Sequence, residues 1–425
     1  MGKRLYFIIL VLLVLFGLFN TSSFPGTGAG IDAGDTSWML VASAFVLLMT
    51  PGLAFFYGGM VAKKNVVSTM LQSFVALGVV SVVWIIVGFS LSFGESIGGI
   101  IGNPLTYLNF KNVGLDANPN FAPTIPFLLF ALFQLKFAII TPALITGSFA
   151  ERVRFRSYIL FIVLFSIILY SPLAHMTWHP DGLLRNLGVL DFAGGTVVHM
   201  SAGFAALAGA VFLGKRKKVE HNPASVTYII LGTGLLWFGW FGFNAGSALG
   251  ANADAVAAFA NTNIASAVAM LTWIFFERFQ GRKMSALGAS IGAIVGLVAI
   301  TPAAGFVNIG QSMFIGFAAA IVSNYAIRLK NKTVVDDTLD VFPSHGVGGI
   351  VGMLLTAVFA KEVGLIYGET QTFIYHVLTL FGVAIFTFGG SWILYWIVDK
   401  IIPIRVREDQ EDRGLDLSQH GEEFG

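Results

Sequence analysis

The chain has 425 residues, 56% hydrophobic and 11% charged, against roughly 25% charged in an ordinary soluble domain, which excludes a soluble domain and indicates a polytopic membrane protein. Its formal net charge is +2 with the basic residues spread over short loops, so no nucleic-acid partner is expected. Without a single cysteine, neither disulfides nor thiolate metal sites are available.

Residues 1–23 have the layout of a signal peptide: Lys3 and Arg4, an apolar run from Leu5 to Phe19, then small residues from Thr21 to Ser23. The cleavage site is not a clean A-x-A, so an uncleaved anchor helix is the alternative; either way residue 30 lies outside. From Thr36 onward, eleven apolar segments are long enough to cross about 30 Å of hydrocarbon. They run over 36–61, 67–93, 125–150, 157–174, 191–213, 226–249, 254–277, 284–301, 307–327, 345–360 and 373–399. The 49 glycines fit close helix packing through small residues, as at Gly242 with Gly246, Gly348 with Gly352, and Gly288, Gly292 and Gly296.

Loops assigned to the inside carry two, three, four, three and three basic residues near 63–64, 152–156, 215–218, 278–283 and 328–332, whereas the outer loops hold only Lys111, Arg185 and Lys361. Fifteen against three places the mature N-terminus outside and the C-terminus in the cytoplasm of a multi-pass protein of the cell's inner membrane. The expected fold is all-α, with eleven spans in a five-plus-five inverted repeat and one added C-terminal helix. Transporter sites usually lie at such a repeat interface. His199 and His345 then fall on equivalent helices, but Asp191 precedes its histidine by eight residues and Asp340 by five, so the halves are not expected to align register for register. The 36–399 region is the membrane domain, and 400–425 is a polar tail, either disordered or docked on the inner loops.

Polar groups inside an apolar chain need a partner or a job. The stretch Trp240 to Leu249 supplies aromatic faces and the Ser247 hydroxyl, and His199 and His345 supply imidazoles. Aromatic faces attract cations, by about 0.5 to 2 kcal/mol when desolvated. Trp178, placed in an outer loop, Phe137 and Phe243, together with Ser247, are candidates for an outer cup that holds a hydrogen-bonding cation. Any one aromatic among 40 Phe and 8 Trp is ordinarily packing; the joint occurrence with the histidines carries the idea. Two imidazoles edge to edge share a proton and line a path for a small neutral molecule. No further Cys, Asp or Glu stands at ligand spacing, so no metal or cofactor is expected. Asp191 reads as an N-cap whose side chain faces the first-turn amides, with His199 about 12 Å deeper on the same side.

DFAGGTVVHM (191–200), GWFGFNAGSA (239–248), HGVGGIVG (345–352), FAIITPALITGSFAERVRF (137–155) and PGLAFFYGG (51–59) resemble the ammonium transporter family of the Amt/Mep/Rh class, in order and at the expected spans. The resemblance implies transport of ammonium or ammonia across the lipid bilayer. It assigns Trp178, Phe137 and Ser247 to the recruitment cup, Phe137 and Phe243 to the gate, and His199 with His345 to the pore. Asp191 and Trp240 take supporting positions, and Gln134 and Tyr57 resemble polar positions proposed to help carry protons. It also implies a homotrimer, a regulatory role for the tail and a PII-type protein at the cytoplasmic face.

Two features depart from the pattern. The loop after Trp178 reads WHPDGLLRNLG, longer than in some members. Lys136 stands beside the gate, about 16 Å along its helix, where a charge costs about 2.5 to 3.5 kcal/mol on insertion scales. It is either a neighbour-facing lysine bonded to carbonyls or a charge that modulates conduction. The second option gives a rival function, an ammonium sensor that binds but conducts poorly. No nucleophile, base and orienting group occur together, so no enzyme is expected. Counting inward along the helices puts His345 deeper than His199, with a non-helical lead-in from Phe342 to Ser344.

Overall fold

The computed structural model describes residues 5–18, 24–218 and 222–425. Lys3, Arg4 and the expected cleavage region from Thr21 to Ser23 lie outside them. An apolar helix α1 (Leu5–Leu18) precedes α2 (Ala33–Met60), α3 (Lys63–Phe93), α4 (Phe127–Ser148), α5 (Phe155–Asn186) and α6 (Gly195–Leu213). Then follow α7 (Val226–Gly246), α8 (Ala253–Phe279), α9 (Ala286–Ile300), α10 (Ile309–Lys330), α11 (Phe342–Phe359) and α12 (Thr370–Ile401). Sheet is confined, among the described residues, to two small hairpins that pair Ser96 with Gly102 and Ala117 with Pro126.

By length and composition, ten of these helices can cross a membrane, α1 and α9 being shorter. The segment expected at 284–301 forms α9, whose 15 residues span about 22 Å at the usual helical rise. It is sunk in the bundle, with every residue from Ser290 to Ile300 buried. Helix starts follow from local chemistry: Asp32, Ser225, Asn252, Ser285 and Asn308 each accept a hydrogen bond from the backbone N–H three residues on. Each satisfies a donor that the first turn leaves free.

The helices α2–α6 and α7–α11 make the two halves, and α12 packs on α5, α6 and α11. Their leading helices α2 and α7 meet along small residues; a Cβ at Gly232 would stand 2.3 Å from Phe56 N, and one at Gly242 2.6 Å from Ala42 O. The closing helices α6 and α11 each open with a π-type turn, Gly195–Met200 and Phe342–Gly346, that contains the histidine. The lead-in to His345 is therefore helical, against the sequence expectation. Such wide turns recur at functional sites because they redirect a side chain within a helix.

The halves also agree in register where the sequence reading paired the wrong carboxylate. Asp191 accepts from the amides of Gly194, Gly195 and Thr196 at 2.6–2.8 Å. Asp337 accepts from Val341 N at 3.1 Å and Phe342 N at 2.8 Å. The carboxylates cap amides four and five residues ahead, and each stands eight residues before its histidine. Asp340 instead pairs with Lys330 at 2.6 Å.

The tail docks on the end of the bundle where α3 begins and α6 ends. Arg405 pairs with Val153 as an isolated bridge and donates to the carbonyls of Leu213 and Lys215, both at 2.7 Å. Asp416 accepts from Val67 N at 3.0 Å and Ser68 N at 2.7 Å, capping the first turn of α3 from 349 residues away. Beneath it, fully buried Arg152 donates to Ser148 O and Thr338 Oγ1, while Arg216 pairs with Glu151 at 2.7 Å and Asp336 at 2.9 Å.

Candidate functional site

A cavity of about 260 Å³ opens at the end of the bundle away from the tail, lined by Phe130, Gln134 and Phe137 of α4, Trp178 and Arg185 of α5, Asp191, Ser247 and Leu249, with Phe93, Phe121, Phe192 and Phe306 completing an aromatic wall. Trp178 is the last helical residue of its segment rather than a loop residue, because the helix runs on to residue 178 before His179 turns extended. Its indole N–H donates to Asp191 O at 3.1 Å, which fixes the ring over the cavity. Ser247 Oγ donates to Phe243 O at 2.8 Å, which orients the hydroxyl and leaves its lone pairs for a donor. Gln134 Oε1 is buried in the cavity wall and has no hydrogen-bond partner among the described residues.

Below the cavity the rings form a column. Phe137 meets Trp178 edge to face at 5.7 Å between centroids and lies 4.3 Å from Phe243. Phe243 stacks on His199 at 5.9 Å, and His199 lies 5.4 Å from His345. Phe137 and Phe243 are no more than 1% exposed, so the column is closed to solvent at their level. Trp240 stacks on His199 at 5.4 Å beside Phe243, whose ring is 5.6 Å away, and is anchored through its indole N–H to Thr301 Oγ1 at 2.9 Å. Thr301 carried no signal in the sequence.

The two imidazoles face each other at 3.3 Å between their Nδ1 atoms, so one ring donates and the other accepts. They reach equal depth, despite the simple residue count, because Gly203 and Gly346 touch where α6 and α11 cross. A Cβ on Gly203 would stand 2.3 Å from Gly346 Cα. His199 Nε2 is buried and makes no hydrogen bond among the described residues. His175 and His376, which sequence reasoning passed over, are as buried. Their nitrogens are engaged, His175 by Ser92 O and Ser96 Oγ and His376 by Met353 O and Leu190 N. Those two are bonded core histidines.

Asp191 also accepts from the hydroxyl of Thr196 at 2.5 Å, so its charge is spent on the first turn of α6. Tyr57 is not brought to the cavity; its hydroxyl donates to Leu144 O at 2.9 Å, against Gly147. Lys136 is absent from the cavity lining and shares a partly exposed stripe of α4 with Leu128 and Leu132, four residues apart. No group of three or more metal-ligating side chains occurs among the described residues.

The family model of the Ammonium Transporter Family matches residues 37–424. An ammonium transporter of Aquifex aeolicus is 45% identical over 417 residues, covering 96% of this chain and 97% of that protein. Among solved structures, Mep2 of Candida albicans superposes with a TM-score of 0.85 at 36% identity, over 91% of each chain. A structure titled "Sensor Amt Protein" does so with a TM-score of 0.84 at 30% identity, over 91% of this chain and 98% of that one. Matched over nearly its whole length in sequence and in fold, this multi-pass membrane protein belongs to the ammonium transporter family.

Proposed function

We propose that the chain moves ammonium by a divided path: the cation is recruited in the outer cavity and gives up its proton there, neutral ammonia passes Phe137 and Phe243, and the proton travels separately with help from the His199 and His345 pair. The observation that carries this reading is the unbroken column from Trp178 through Phe137, Phe243 and His199 to His345. Trp178 and Phe137 offer π faces to a cation and Ser247 offers a hydroxyl acceptor, a pairing suited to an ion that both carries charge and donates hydrogen bonds. Potassium lacks donors and a removable proton, so the loss of its hydration shell in the ring column goes uncompensated. Gln134 and Tyr57 are assigned to proton handling, Gln134 at the cavity wall and Tyr57 toward the inner end. Asp191 and Trp240 are assigned to holding His199 in place.

The same reading takes the protein as a homotrimer in the inner membrane, its mature N-terminus outside and its cytoplasmic tail regulatory, with a PII-type protein as partner. Residues 1–23 are read as the signal peptide. A sensor that binds ammonium and conducts poorly is the second reading, favoured by the likeness to the structure titled as a sensor. Flux into liposomes separates the two. Ammonium, but not potassium at equal concentration, should produce a transport signal; equal signals for both, or none for ammonium, contradict transport through this column.

A further inference from the structure

The outer cavity is built for a cation, yet the free charge in its wall is positive. Two charged side chains line it, Asp191 and Arg185. Both carboxylate oxygens of Asp191 are taken up by Gly194, Gly195 and Thr196. The Arg185 guanidinium is exposed and, among the described residues, makes one hydrogen bond, donating to Trp178 O at 3.3 Å. That leaves most of its five N–H donors without a partner among the described residues. Its backbone is held firmly: Leu183 N donates to Gly99 O at 2.8 Å and Asn186 N to Gly182 O at 2.9 Å, which fixes the short turn that carries it. Trp178 is therefore held from both sides, its ring by Asp191 O and its carbonyl by Arg185.

We propose that Arg185 is an affinity-setting residue of the outer site, which by its fixed positive charge at the mouth weakens occupancy by ammonium. The proposal rests on the reading of this cavity as the recruitment site. At a separation on the order of 10 Å, a unit charge changes a cation's affinity between about 2-fold at the dielectric of water and about 15-fold at that of a protein surface. The mouth is wet, so the lower part of that range applies, and salt screens the effect because the Debye length is about 10 Å at 0.1 M.

The test compares wild type with Arg185→Lys, Arg185→Gln and Arg185→Glu. Two readouts are used: ammonium chloride binding, followed by tryptophan fluorescence with potassium chloride as control, and the apparent KM of flux in liposomes. Both are taken at about 0.01 M and about 0.3 M ionic strength. At low salt the proposal expects ammonium to bind about 2- to 5-fold tighter to Arg185→Gln and tighter still to Arg185→Glu. Arg185→Lys restores the wild-type value, and the differences shrink at high salt. Affinity that falls alike in all three variants, or stays unchanged, or differs independently of salt, overturns it. Wild-type protein that binds ammonium without flux defeats the transport reading while the binding series still decides the role of Arg185. Absence of wild-type binding defeats both.

Discussion

At the scale of single residues, what separates His199 from the equally buried His175 and His376 is the state of its nitrogens. His175 and His376 have both ring nitrogens engaged by neighbouring groups, whereas His199 shares Nδ1 with His345 and keeps Nε2 unpaired. In the sequence only the motifs DFAGGTVVHM and HGVGGIVG set the pair apart; hydropathy and periodicity do not. Lys136 is a second instance: the residue beside the gate in sequence shares the partly exposed stripe of its helix, since neighbours on a helix point about 100° apart. Lys136→Met should leave ammonium current unchanged within about 2-fold, well under the tenfold that 1.4 kcal/mol would produce; a larger rise would show that its charge reaches the pore. The carboxyl of Asp337, buried and beside Asp340, is pushed up to about 6. Between about pH 4 and pH 6 the folded chain holds more of this proton than the unfolded chain, so the group's contribution to stability falls as pH rises through that window and is flat above it. The fall is at most about 3 kcal/mol. Thermal midpoints in detergent should accordingly show Asp337→Asn gaining on wild type from pH 4.5 to pH 7; a constant difference would contradict the shift.

At the scale of elements, the spans were legible because hydrophobic length and the charge of the loops leave few alternatives. Helix starts were equally open to reading, since Ser, Asn and Asp stand where caps form. The repeat register was not. Asp340 lay nearer to His345 in sequence, while the capping role belongs to Asp337, and the choice depends on the π-type turn at Phe342–Gly346 that periodicity does not reveal. The depth of the histidine pair was hidden for a related reason, being set by the crossing of Gly203 on Gly346. Gly203→Ala should push α6 from α11 and cost about 1–3 kcal/mol as overpacking, read as a lowered thermal midpoint together with reduced flux; a variant with wild-type values of both would show that the crossing has slack. At the first turn of α3 the tail is anchored by one carboxylate. Asp416→Ala removes two charge-assisted bonds worth about 1–3 kcal/mol in all, so residues 403–425 should become faster in hydrogen exchange, and unchanged protection would place the anchorage elsewhere.

At the scale of the whole molecule, two halves with matching carboxylate caps bring one histidine each to a shared midline, and the aromatic residues of α4, α5 and α7 stand above it. On the function proposed above, this arrangement separates two tasks in space, with recognition of a cation in the cavity at Trp178 and passage through the ring column, in which charge is poorly solvated. The family was readable from five motifs, because they carry the residues that the fold brings together. The mouth was less readable, since Arg185 counted only as one of three outer basic residues and its place in the cavity wall depends on how the turn after Trp178 folds. The central claim is that ammonia and its proton part company above Phe137 and Phe243 and that the histidine pair serves the proton. The most direct test is ammonium-triggered current in liposomes on a supported membrane, for wild type and His199→Ala, each checked for an unchanged thermal midpoint. The account predicts current in the wild type and its loss in His199→Ala; full current in the variant would contradict it.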